Sequence, residues 1–190
     1  MICMKQNGIE NILKKHQQIP VVTVSDMNEV EQLRNAVAGR GIQCVEITLR
    51  TPFAWDAIRH LKDNFSDEFS VGVGTVCSEN EVDQCVKYGV DFIVSPGSTV
   101  NLINSLEESG IPFLPGVATP SEIIRALEQK CDHLKFFPAN LFGGIEALKM
   151  YGALFNEVKF CPTGGIDEAN YTEYLKLDNV VSVGGSWLCK

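Results

Sequence analysis

The sequence predicts an α/β fold of the (β/α)8 TIM-barrel type in a single domain over residues 1–190, and three observations predict it. Eight short β-branched or apolar runs recur at intervals of twenty-odd residues: 19–24, 43–48, 70–75, 92–95, 113–117, 133–137, 158–162 and 180–184. Between them lie segments of helical periodicity, such as Val30, Leu33, Val37 and Ala38, or Val82, Cys85 and Val86. Strict alternation of strand and helix implies a parallel sheet with right-handed crossovers, and eight such units make closure into a barrel the natural solution.

Caps mark where the helices start. Ser78 is followed by Glu81, Thr119 precedes Pro120 and Glu122, and Asp26 precedes Asn28 and Glu29. An amphipathic segment with Ile9, Ile12 and Leu13 on one side precedes the first strand and is expected to cover the barrel's lower end. After the eighth strand come Gly185-Ser186-Trp187-Leu188-Cys189-Lys190, so the eighth helix is expected to be absent or reduced to a turn. The exposed strand face would then need cover from the N-terminal helix or a neighbouring subunit, which favours an oligomer.

Composition excludes several function classes. A formal charge of −8, with no basic run to offset it, would repel a nucleic-acid backbone. An anionic small substrate stays possible, because a few local cations and backbone N–H groups can make one pocket positive. No stretch is long and apolar enough for a signal peptide or a membrane span, which points to a cytoplasmic protein without membrane contact. The seven cysteines are scattered, odd in number and free of any C-x-x-C pair, so they read as reduced thiols rather than disulfides or zinc ligands. His16, His60 and His133 lie far apart and read as ordinary surface or core histidines; no metal is expected.

In such barrels the chemistry sits at the C-terminal ends of the strands. Lys135, flanked by Leu134, Phe136 and Phe137, either points into the barrel or snorkels to solvent. An amine kept from water is more often neutral, and a neutral amine can attack a carbonyl and form a Schiff base. Lys159, near the start of its strand, fits the snorkelling reading better. Glu46, between Val45 and Ile47, needs either an ion-pair partner or a task such as proton transfer. Arg50 either forks onto a substrate carboxylate or is a surface cation, and Thr75 ends Gly72-Val73-Gly74-Thr75. Pro162-Thr163-Gly164-Gly165-Ile166 and Val183-Gly184-Gly185-Ser186 follow the last two strands, where barrels commonly bind phosphate through backbone N–H groups.

Collinear segments carry a resemblance. Val45-Glu46-Ile47-Thr48-Leu49-Arg50-Thr51, Gly72-Val73-Gly74-Thr75-Val76, Val94-Ser95-Pro96-Gly97, Leu114-Pro115-Gly116, Phe136-Phe137-Pro138-Ala139, Phe160-Cys161-Pro162-Thr163-Gly164-Gly165-Ile166 and Gly184-Gly185-Ser186-Trp187-Leu188 resemble the 2-keto-3-deoxy-6-phosphogluconate (KDPG) and 4-hydroxy-2-oxoglutarate (KHG) aldolase family. The resemblance runs from about Ile19 to the C-terminus. It implies a class I lyase of the Entner–Doudoroff pathway that cleaves KDPG to pyruvate and glyceraldehyde 3-phosphate, with no cofactor and a homotrimeric assembly. It implies Lys135 as Schiff-base lysine and Glu46 as general acid/base. Arg50 and Thr75 would hold the substrate carboxylate, while Thr163, Gly164, Gly165, Gly185 and Ser186 would hold the phosphate. Pro96 and Phe137 would line the pocket. Asn140-Leu141-Phe142 departs from the family, which often carries an acidic residue after Phe-Phe-Pro-Ala, and the final helix is missing.

The alternatives are cleavage of KHG or of the galactonate epimer, since spacing does not reveal pocket shape. A phosphate-binding barrel isomerase or epimerase, or a non-catalytic barrel used as a binding module, would need no imine-forming lysine.

Overall fold

The computed structural model describes residue 6, residues 8–67 and residues 69–189. Among the described residues there are nine short parallel strands, most of them separated by helices. β1 (Gln18–Val22), β2 (Cys44–Thr48), β3 (Ser70–Gly74), β4 (Phe92–Val94), β5 (Phe113–Leu114) and β9 (Val183–Gly185) form a six-stranded sheet in the order β5-β4-β3-β2-β1-β9. β6 (Gly116–Val117), β7 (His133–Phe136) and β8 (Lys159–Pro162) form a second sheet in that order. The architecture is α/β, a curled parallel sheet with helices on its convex side.

Most strands lie within one or two residues of the expected runs, and two runs depart further. The fifth run is split into β5 and β6 at Pro115, which has no N–H to give a ladder. Its carbonyl still accepts from Lys135 N at 2.9 Å, so the chain keeps its place beside β7. The eighth run begins at Val183 rather than Val180, because Val180 N closes a turn onto Leu177 O. Val180 contributes an isolated parallel bridge to Phe160, and Gly184 another to Thr163.

Strand alternation sorts the core into two clusters. Val45, Ile47, Val71, Val73, Ile93, Phe113, Leu134, Phe136 and Phe160 face outward and pack beneath the helices. Ile19, Cys44, Phe92, Val94, Leu114 and Cys161 face the concave interior and meet one another there. Burying each large apolar side chain contributes about 1.5–3 kcal/mol. The interior cluster is completed by Ile9 and Leu13 of α1 (Ile9–Lys15), so the amphipathic N-terminal helix closes the lower end as its pattern predicts. Gln6 fastens that end: its Oε1 accepts from the backbone N of Asp132 and of His133, both at 2.9 Å, while its Nε2 donates to the carbonyls of Phe113 and His133.

The predicted caps are present. Asp26 accepts from Glu29 N at the start of α2 (Met27–Gly39), and Ser78 with Glu81 forms a capping box on α4 (Glu79–Tyr88). Thr119 with Glu122 does the same for α6 (Pro120–Glu128). The buried stripes are narrower than the sequence pattern: Val30, Leu33, Val37, Val82 and Cys85 are buried, but Ala38 and Val86 are exposed. Each sits one position beyond the last buried residue, which turns it away from the sheet. Among the described residues β9 is followed by a 3-10 turn, Trp187–Cys189, and not by an α-helix. No helix among the described residues is long and apolar enough to cross a membrane. Cys44, Cys77, Cys85, Cys131, Cys161 and Cys189 are free thiols; Cys3 lies outside the described residues.

Candidate active site

Glu46 and Lys135 belong to the inward-facing set of β2 and β7, where apolar neighbours would otherwise be expected. Both side chains are buried, 4% and 5% exposed, and Lys135 Nζ donates to Glu46 Oε1 at 3.2 Å. The snorkelling reading of Lys135 is thereby excluded. Lys159, by contrast, donates to the carbonyl of Asp178 at the exposed start of β8.

Several side chains shape the space around the pair. The Phe137 ring centroid lies 5.1 Å from Lys135 Nζ, a cation–π distance. In the ladder Lys135 stands opposite Gly116 on one side and Cys161 on the other. A Cβ on Gly116 would lie 2.4 Å from the Pro96 carbonyl oxygen, so the glycine lets the Pro96 backbone close over that edge. Burial pushes the Cys161 thiol up to about 12, so it remains neutral beside the amine. Thr75, just past β3, has φ 66°, a left-handed conformation costly for a β-branched residue.

The two glycine loops are brought side by side. Thr163 is buried and bridges Gly184, whose missing Cβ would lie 2.5 Å from Thr163 Oγ1. Gly164 and Gly165 have φ of 102° and 70°, a left-handed conformation that favours glycine. Gly185 has a second reason to be glycine: a Cβ there would collide with the Trp187 ring at 1.9 Å. A cavity of ≈ 460 Å³ at the same end touches Arg50 and Ser186 and runs along Val21, Thr23 and Gln32. It reaches neither Lys135 nor Glu46, so the structure brings Arg50 and Ser186 to one opening and keeps the ion pair, with Phe137 beside it, outside that opening. Among the described residues no group of three or more His, Cys, Asp or Glu side chains comes together to hold a metal ion.

The family model for KDPG and KHG aldolase matches residues 9–190. This chain belongs to that aldolase family. The KHG/KDPG aldolase of Escherichia coli (strain K12) is 38% identical over 96% of this chain and 85% of its own length. The KDPG aldolase of Legionella pneumophila, whose crystal structure captured pyruvate as a covalent carbinolamine intermediate, superposes with a TM-score of 0.90. It is 42% identical, covering 94% of this chain and 86% of that chain. The KDPG aldolase of Zymomonas mobilis ZM4, solved with 3-phosphoglycerate, gives a TM-score of 0.91 at 35% identity over 96% of this chain and 86% of that one. The aldolase is thus a lyase, and the isomerase and binding-module alternatives fall away.

Three residues near the Lys135–Glu46 pair escaped the sequence reading. Gly74 and Gly116 were visible only as motif letters, because what their missing side chains admit comes from other strands. Ser95 is fully buried and its Oγ accepts from Gly116 N at 3.4 Å, a contact from the end of β4 to β6 that spacing does not reveal.

Proposed function

We propose that this aldolase cleaves KDPG to pyruvate and glyceraldehyde 3-phosphate through a Schiff base on Lys135. The observation that carries the reading is the buried contact of 3.2 Å between Lys135 Nζ and Glu46 Oε1. A carboxylate at that distance can take a proton from the ammonium, leaving a neutral amine to attack the C2 ketone. Glu46 then returns that proton to the C2 oxygen, takes a second one from the carbinolamine nitrogen and passes it to the C2 hydroxyl, which leaves as water, and a protonated imine forms. That imine is an electron sink for the C3–C4 bond. Removal of the C4 hydroxyl proton by Glu46, directly or through a water, breaks the bond, releases the aldehyde and leaves an enamine. Protonation at C3 and hydrolysis give pyruvate and restore the lysine.

The remaining residues take supporting roles. Arg50 and Thr75 hold the carboxylate that becomes pyruvate's, and Phe137 and Pro96 cover the reacting carbons. Thr163, Gly164, Gly165, Gly185 and Ser186 receive the phosphate; the left-handed glycines and the Thr163–Gly184 bridge support this assignment. The two sheets close as a (β/α)8 barrel, β5 and β6 counting as one strand interrupted at Pro115; the isolated bridges Phe160–Val180 and Thr163–Gly184, between the β8 and β9 segments of the chain, support this closure. The assembly is a homotrimer working in the cytoplasm, in keeping with the free thiols and the apolar side chains exposed on α7 (Gly144–Leu154).

The test is the mass of the intact protein after incubation with pyruvate and borohydride, followed by peptide mapping. A reduced pyruvyl adduct on Lys135, absent from Lys135→Met, is the expected result. A folded protein with no adduct overturns the Schiff-base mechanism.

A further inference from the structure

β3 carries glycine at two alternate positions, Gly72 and Gly74, which therefore face the same side of the strand. Neither is needed for the backbone, since both are paired in register with β2 and neither has a positive φ. What they supply is room. A Cβ on Gly72 would lie 2.1 Å from Phe92 Cζ, so an aromatic ring from β4 fills the lower gap. A Cβ on Gly74 would lie 2.0 Å from Glu46 Oε1, 2.7 Å from its Cδ and 2.8 Å from its Cγ. The upper gap is therefore filled from β2 by a carboxylate, and by the same oxygen that accepts from Lys135 Nζ at 3.2 Å.

We propose that Gly74 is a positioning residue of the aldol reaction: its missing side chain is the slot that holds the Glu46 carboxylate against Lys135. This rests on Glu46 being the proton carrier. A glutamate side chain is free to take several rotamers, and the one adopted here keeps Oε1 on the lysine. A methyl group at position 74 would have to move the carboxylate by more than an ångström to reach ordinary contact at 3.4 Å. Misplacement of about 1 Å at a reacting group costs on the order of 10²-fold in rate.

The experiment is a double-variant cycle on the full chain: Gly74→Ala, Glu46→Gln and the two together, with kcat and KM for KDPG cleavage measured across pH. Gly74→Ala is expected to lower kcat by about 10²-fold with a small change in KM, and to alter the pH profile of kcat. The combined variant is expected to be no slower than Glu46→Gln, because Gly74 acts only through that carboxylate. Gly72→Ala serves as the packing control, losing thermal stability while its folded fraction keeps the parent pH profile. Losses that multiply in the combined variant, or an unchanged pH profile in Gly74→Ala, overturn the proposal and leave the role of Glu46 standing. A Glu46→Gln variant with the parent rate removes both. Should Gly74→Ala fail to fold, Gly74→Ala in a Glu46→Ala background decides, since there the methyl enters vacated space. A melting temperature no lower than that of Glu46→Ala supports the slot, and a lower one overturns it.

Discussion

Lys135 Nζ and Glu46 Oε1 meet at 3.2 Å although 89 residues separate them in the chain. β2 and β7 lie in different sheets, so the contact spans the interior of the fold. Taking both charges out of water is costly, and that cost is offset only while each has the other. Removing one partner should therefore hurt more than removing both. Lys135→Met is expected to lose about 3–5 kcal/mol in urea unfolding, and Lys135→Met with Glu46→Gln to regain a substantial part of it. A combined variant less stable than Lys135→Met would show that the carboxylate has found another partner.

Thr75 holds a conformation that favours glycine, and the position is one where a carboxylate-binding hydroxyl is assigned. Strain of this kind persists where function requires the side chain. Thr75→Gly should relieve about 1–2 kcal/mol of left-handed strain, offset in part by about 0.5–1 kcal/mol of added chain entropy. The expected outcome is unchanged or slightly raised stability together with a higher KM for KDPG. Marked destabilisation in a thermal melt would mean that the Thr75 side chain supports the fold instead.

Met150 and Leu154 are 60% and 59% exposed and lie one turn apart on α7, with Leu141 exposed on the preceding 3-10 turn. Apolar side chains grouped in this way fit an interface between copies of the chain. Met150→Glu with Leu154→Glu should shift the sedimentation coefficient from that of a trimer toward that of a monomer. A trimer that persists would place the interface on another face.

Much of this fold is legible because its signals are local. The capping residues Asp26, Ser78 and Thr119 and the stripe of Ile9, Ile12 and Leu13 each determine an element within a few residues, and all of them recur in the structure. The split of the fifth strand at Pro115 is also local in cause, but Leu114 and Val117 keep the run apolar and mask it. At the site, Lys135 and Glu46 stand out as charges among apolar neighbours, so both candidates are visible from their own strands, but neither strand alone decides between an inward and a snorkelling lysine or between an ion-pair partner and a proton carrier. Gly74 is not visible in this way, because its role depends on a side chain from β2 and a lysine from β7, and only the folded chain brings the three together.

Acid sensitivity should come in two steps. His16 is buried, and burial, helped by the charge of Lys15, holds its ring below the ordinary 6.5. The unfolded chain therefore binds the proton more readily, so the stability His16 contributes is complete above 6.5 and is lost as pH falls through its lower folded value. Glu122 behaves likewise at lower pH. Burial alone would raise its carboxyl, but hydrogen bonds from Ala118 N, Thr119 Oγ1 and Thr119 N outweigh that and hold it below 4.5. Its contribution is complete above 4.5 and disappears as the carboxylate is protonated, which uncaps α6. Urea unfolding at a series of pH values should show stability falling first below 6.5 and again below 4.5. His16→Gln is expected to flatten the first step alone, and Glu122→Gln the second alone. A first step that survives His16→Gln would assign it to another group, and the buried ring would then be protonated as easily in the fold as outside it.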